Sequence, residues 1–259
     1  MGTFVLVHGA GSGGWVWHKV APRLEAQGHR VLTPDLPGHG LNPLPMAEVS
    51  LERYVACICD LLRAAPEPVV LVGHSLGGAV ITQAAEYCPD RIQTLVYLAG
   101  YLLANGESAL AISQADTESR LLANAIFSDD QLSATFRPEA LPELGYADCS
   151  PEDMALVRSL LAPQALAPLA TPVQTTPEQA GRVPRVYITC TQDRVIGPAA
   201  QRRMYTALPC ERVLAMETSH NPYLSAPAAV AEHLLSLAAP PGAEEHGRRP
   251  LAPSVEGCF

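Results

Sequence analysis

Three side chains far apart in the sequence, Ser75, Asp193 and His220, are of the types that together turn a hydroxyl into a nucleophile. A serine hydroxyl alone attacks poorly at neutral pH. It becomes competent when a histidine accepts its proton during attack and a carboxylate holds the imidazole in one tautomer. Ser75 lies in Gly73-His74-Ser75-Leu76-Gly77, a G-x-S-x-G run. The flanking glycines let such a serine sit on a sharp, strained turn between a strand and a helix, with its Oγ exposed. The order nucleophile, acid, base along the chain suits that turn. Glu217 is the nearest rival acid, but it precedes His220 by only three residues and reads as a strand end, while Asp60 and Asp90 fall on or after helices. The oxyanion formed on attack needs two backbone N–H donors. Leu76, directly after the serine, and Ala10, in His8-Gly9-Ala10, are the expected pair, and losing one such donor costs about 3 kcal/mol of transition-state stabilisation. His8, His39 and His74 read as hydrogen-bonded loop anchors, since no H-E-x-x-H spacing for a metal is present.

The elements that must position these groups follow from the hydrophobic pattern. Short β-branched runs predict strands at 3–7, 30–33, 69–72, 94–98, 185–190 and 212–215. Amphipathic stretches predict helices at 15–27, closed by Gly28, at 51–65, capped by Ser50, from the serine turn to Cys88, at 198–207 and at 227–237. This alternation is that of an α/β chain with a mostly parallel sheet covered by helices on both faces. Ala10, Ser75, Asp193 and His220 each follow a predicted strand, so all four fall on its carboxyl edge. From 102 to 181 the alternation breaks into helical fragments separated by proline and acidic turns, which reads as a mobile helical cap inserted into a core of 1–101 and 182–239. Residues 240–259 have no periodicity and read as a disordered tail.

Composition excludes several classes. The 259 residues carry a net charge of -9 and a single lysine, Lys19, so no cationic surface for nucleic acid is expected. Apolar runs are strand-sized and no basic, cleavable leader opens the chain, so neither membrane insertion nor export is expected. The seven cysteines are scattered without ligand spacing and read as reduced thiols, which points to a cytoplasmic protein. A competing reading comes from Gly9-Ala10-Gly11-Ser12-Gly13-Gly14. It is a literal G-x-G-x-x-G between a strand and a helix, with Asp35 at the end of the next strand, as an NAD(P)-binding Rossmann reductase would have. Against it, Lys19 has Trp15 rather than tyrosine four residues before it. A binding protein that has lost catalysis is a third class, set against the filled Ser75, Asp193 and His220 positions.

With these residues in view, the chain resembles the α/β-hydrolase subfamily of plant methylesterases, hydroxynitrile lyases and bacterial pyrethroid-hydrolase-like carboxylesterases. The likeness runs from Thr3 to about Leu237. It rests on Phe4-Val5-Leu6-Val7-His8-Gly9-Ala10 with Gly14-Trp15, on Val72 to Gly78, and on Pro184-Arg185-Val186-Tyr187-Ile188 leading to Gln192-Asp193-Arg194 and Gln201-Arg202. The resemblance implies a six-stranded sheet, a small helical cap, no cofactor and a serine carboxylesterase activity. The lyases of this group carry threonine at the Gly9 position and lysine at the Asn221 position. Lacking a cation beside the base, this chain is not expected to release cyanide. The methylesterases commonly have methionine where Asn221 stands.

The expected substrate is a small, neutral, largely apolar ester, and a homodimer is left open as a further partner. Residues 102–181 carry eleven Asp and Glu against three Arg, which should repel anionic substrates. Apolar candidates for the pocket wall are Tyr101, Leu102, Leu103, Phe127, Phe136, Leu160 and Tyr223.

Overall fold

Alternate residues of each central strand pack into two separate apolar clusters, one on each side of a sheet. In the first strand Val5 and Val7 join one cluster while Phe4 and Leu6 join the other, and Leu71 and Val72 divide the same way. That is the period of two that a strand imposes, here with both faces covered. In the computed structural model, which describes residues 2–238, the strands are β1 (Thr3–Val7), β2 (Arg30–Leu32), β3 (Val69–His74), β4 (Ile92–Leu98), β5 (Ala125–Phe127), β6 (Ser133–Phe136), β7 (Gln164–Ala165), β8 (Arg185–Cys190) and β9 (Arg212–Met216). Six of them form one sheet in the order β2-β1-β3-β4-β8-β9, every pairing parallel. The chain first steps from β1 to β2, then crosses back to lay β3 on the other side of β1. The loops leaving β1 and β3 therefore part, and a crevice opens at their carboxyl ends, where open α/β sheets bind ligands.

Most helices fall where the pattern places them. Leu51–Ala64 begins at Ser50, whose Oγ accepts the Arg53 N–H, and Leu76–Tyr87, Pro198–Ala207 and Pro227–Ala238 complete the layers. The helix expected at 15–27 is instead a 3-10 turn, Gly14–Trp17, followed by a short helix, Ala21–Glu25. Pro22 explains the break, because it has no N–H to give to His18 and its ring would strike that carbonyl. The 102–181 segment also holds β5, β6 and β7, which form a small antiparallel sheet of their own. The proposed 240–259 tail lies outside the described residues.

Candidate active site

Ser75 has φ 52° and ψ −121°, a conformation that only a tightly determined turn maintains in a non-glycine residue. The surroundings determine it. A Cβ on Gly73 would lie 2.5 Å from the Gly77 carbonyl oxygen, and one on Gly77 would lie 2.8 Å from the carbonyl oxygens of both Val7 and His8. The turn is thus wedged against the end of β1. The Ser75 carbonyl accepts the N–H of Gly78 at 2.9 Å and of Tyr101 at 3.0 Å, which anchors the turn from both sides.

His220 donates from Nδ1 to Asp193 Oδ2 at 2.6 Å, and both residues are buried. Asp193 is fixed in turn. Its Oδ1 accepts the N–H groups of Val195 at 2.7 Å and Ile196 at 3.0 Å, and its Oδ2 also accepts from Gln201 Nε2 at 3.0 Å. Engagement of Nδ1 leaves Nε2 as the acceptor of the ring, and His220 and Ser75 stand in the wall of one cavity. The rival Glu217 is exposed to solvent. His74 donates from Nε2 to the His220 carbonyl at 2.9 Å, so the residue before the serine holds the backbone of the histidine.

Ala10 and Leu76 line the same cavity. The Gly9 carbonyl, in the same peptide plane as the Ala10 N–H, accepts from His8 Nδ1 at 2.8 Å, while His8 Nε2 accepts the Leu36 N–H at 3.1 Å. Burial first, and then the nearby His39, lower the His8 pKa to about 3, so the ring is neutral at physiological pH. Burial also lowers the pKa values of His39 and His74. These three histidines hold loops, and among the described residues no cluster of His, Cys, Asp and Glu suits a metal ion. The six described cysteines are unpaired.

The cavity has a wall of alanine, leucine, phenylalanine and tyrosine side chains, relieved by Ser12, Gln164, Asn221 and the catalytic candidates, with no Asp, Glu, Lys or Arg among the described residues that line it. Of the seven wall residues expected from the sequence, Tyr101, Phe127 and Phe136 are on it. Four are not. Leu102 and Leu103 turn into the core cluster that contains Val5 and Val7. Leu160 ends the helix Pro151–Leu160 and is 43% exposed, and Tyr223 is buried against Trp17 and His74. In their place stand Leu121, Leu141, Leu144, Tyr146, Leu161 and Gln164, all from 102–181. Only Gln164 left a trace in the sequence, as a lone amide in an otherwise apolar run.

The 102–181 segment is fastened to three loops of the sheet edge. Around Asp193, Asp116 Oδ2 accepts the Gly197 N–H at 2.7 Å, Glu118 Oε2 accepts the Ala199 N–H at 3.0 Å, and Ser119 Oγ donates to the Val195 carbonyl at 2.8 Å. Around the histidine, Asp148 accepts the N–H of Ser219 at 3.0 Å as well as its hydroxyl. The Gly145 carbonyl accepts from Asn221 Nδ2 at 2.7 Å and shares the one Ser219 hydroxyl proton with Asp148. Beside Ala10, the Gly11 carbonyl accepts the Ala162 N–H at 2.8 Å and the Gly11 N–H donates to Gln164 Oε1 at 3.0 Å. Acidic side chains expected to repel anions thus serve in part as acceptors for these loops.

The Rossmann reading fails on the same loop. Asp35, the residue that would have to meet a ribose, accepts the Gly14 N–H at 2.7 Å and the Leu41 N–H at 2.8 Å, so its carboxylate ties the glycine loop to the turn after β2.

A model of the alpha/beta hydrolase family matches residues 4–233, and the chain belongs to that family. Salicylic acid-binding protein 2 from Nicotiana tabacum is 36% identical over 213 residues, which are 77% of this chain and 82% of that one. Methylesterase 1 from Arabidopsis thaliana is 34% identical over 251 residues, 91% of this chain and 95% of that one. The crystal structure of a pyrethroid hydrolase from Sphingobium faniae JZ-2 superposes with a TM-score of 0.80 at 30% identity, covering 91% of this chain and 96% of that one. No described helix is long and apolar enough to cross a membrane.

Proposed function

We propose that this chain is a serine carboxylesterase that cleaves a small, neutral, largely apolar ester through an acyl-enzyme on Ser75. The observation that carries the reading is the Asp193-bound His220 sharing with Ser75 a cavity whose described lining has no Asp, Glu, Lys or Arg. His220 Nε2 takes the Ser75 proton as Oγ bonds to the ester carbonyl carbon, and the imidazolium so formed is stabilised by Asp193. The carbonyl electron pair moves to oxygen, where the N–H groups of Ala10 and Leu76 receive it. The pair then returns, the C–O bond to the alcohol breaks, and the alcohol leaves with the proton from His220. Water, activated by the same nitrogen, releases the acid and restores the serine.

The substrate class follows from the wall. A charged acyl or alcohol group would be desolvated there without a partner, whereas an aryl or short aliphatic ester would gain from apolar burial. The names of Methylesterase 1 and of the pyrethroid hydrolase point the same way. A hydroxynitrile lyase activity is disfavoured, because Asn221 stands beside the base and its amide is spent on Gly145. In this reading 102–181 is the cap over a core of 1–101 and 182–239.

A fluorophosphonate probe is expected to give one adduct, at Ser75, that Ser75→Ala abolishes. In a p-nitrophenyl ester series, rates should peak at short acyl chains. A peak at long chains would make the enzyme a lipase and remove the small-ester assignment.

A further inference from the structure

Gln164 is 2% exposed, and each polar atom of its amide has a partner. Its Nε2 donates to the Ala165 carbonyl at 2.9 Å and to the Tyr54 hydroxyl at 3.1 Å. Only an NH2 can face a carbonyl, so Oε1 is turned the other way, to the Gly11 N–H at 3.0 Å. Tyr54 is itself held, with its hydroxyl 2.9 Å from His39 Nε2. A buried chain of hydrogen bonds thus runs from the turn after β2, through the helix Leu51–Ala64 and the short strand β7, to the loop that follows β1.

The end of that chain matters for Ala10. A backbone N–H lies in the peptide plane that its residue shares with the residue before it, and is displaced when the chain on either side moves. The plane before Ala10 contains the Gly9 carbonyl, which His8 pins. The plane after it contains the Gly11 N–H, which Gln164 pins. His8 thus sets the direction of the Ala10 N–H, and Gln164 braces the chain on the far side of Ala10 so that the loop does not shift and carry that N–H with it. Gly11 needs that support, because its φ is +66° and glycine there moves among many conformations when nothing restrains it. Room for a side chain is lacking as well, since a Cβ would lie 2.7 Å from the Ala162 carbonyl oxygen.

We infer that Gln164 is a positioning residue for the oxyanion site: from the cap, it braces the loop that carries the Ala10 N–H, the donor that receives the developing charge. This rests on the serine-esterase reading given above. Gln164 lies in the cavity wall, yet its acceptor is spent on Gly11, so its effect falls on the step in which charge develops rather than on capture of the ester.

The test is kinetic, on the full-length enzyme with p-nitrophenyl acetate. Gln164→Met keeps the volume and removes the amide. It is expected to lower kcat about tenfold or more while KM stays within about twofold, the signature of an interaction made in the transition state. Affinity for phenylboronic acid, which becomes a tetrahedral anion on the serine, should weaken in step with kcat. Unchanged kcat and boronate affinity in a folded Gln164→Met enzyme would overturn the inference and leave Gln164 a fastener of the cap. If that variant does not fold, Gln164→Asn, which draws the amide one methylene back from Gly11, makes the same test with the same two outcomes. Fluorophosphonate labelling of the unmodified enzyme separates the two levels: without an adduct at Ser75 the esterase reading itself falls, and with one only the role of Gln164 is in question.

Discussion

The sheet core and the 102–181 segment share apolar burial but differ in what orients them. The core strands bury alternate apolar side chains in two clusters and satisfy their backbone through parallel ladders. The 102–181 segment joins these clusters through Leu141, Leu144, Met154 and Val173, and adds at the sheet edge Asp116, Glu118, Asp148 and Gln164, which accept backbone N–H groups of the segments that follow Asp193, precede His220 and follow Ala10. Apolar burial is non-directional and roughly proportional to area, whereas a hydrogen bond fixes an orientation. The sheet brings Ala10, Ser75, Asp193 and His220 to one rim, and hydrogen bonds from 102–181 orient the loops of Ala10, Asp193 and His220.

This contrast can be broken or sharpened by experiment. The largest effect belongs to the core: Ser75→Ala should reduce kcat at least about ten-thousand-fold and leave Tm within about 2 °C. A retained rate would dissolve the proposed chemistry. Next, Gly77→Ala places a methyl 2.8 Å from two carbonyl oxygens of the β1 end and should cost roughly 3 kcal/mol or more, read from the urea midpoint. A stable variant would mean the turn is not wedged as described.

On the cap side, Asp148→Ala frees Ser219 beside the base. It should lower kcat about tenfold while costing only about 1–2 kcal/mol of stability. A loss of stability with kcat intact would reduce the cap to a lid. Acid should then act on the core alone, because His8, His39 and His74 lie there and the cap has no histidine. Their folded pKa values are lowered by burial, so the unfolded chain takes up protons first. Stability is full above pH about 6.5 and falls below it, by at most about 1.4 kcal/mol per pH unit for a histidine that stays neutral in the folded chain. Urea midpoints at pH 7 and pH 5 check this, in a range above ordinary carboxylate titration. The smallest change is expected from Phe127→Ala at the cavity mouth, where a side chain already 47% exposed should affect KM for aryl esters only about threefold.

The two regions also differ in how much the sequence discloses. Residues 185–190 and 198–207 are a strand and a helix in both reading and structure, because period-two and period-3.6 patterns are local properties. The serine turn and the order of Asp193 and His220 were legible for the same reason, since strand ends alone bring them to one edge. The cap was not. Strands of three, four and two residues are too short to show a period, and their pairing depends on distant partners. Leu102 and Leu103, next to Tyr101, were expected in the cavity as apolar candidates. Adjacency in sequence does not fix the side of the sheet, and both turn into the core. The glycine loop had the spacing of a dinucleotide site, but no spacing reveals that Asp35 is occupied by Gly14 and Leu41.

The three points of attachment bear on how new specificities can be engineered. A foreign cap grafted onto this scaffold to admit bulkier esters would need to bring acceptors equivalent to Asp116, Asp148 and Gln164 along with its new lining. A chimera chosen only for the shape of its pocket would bind the intended molecule and turn it over slowly.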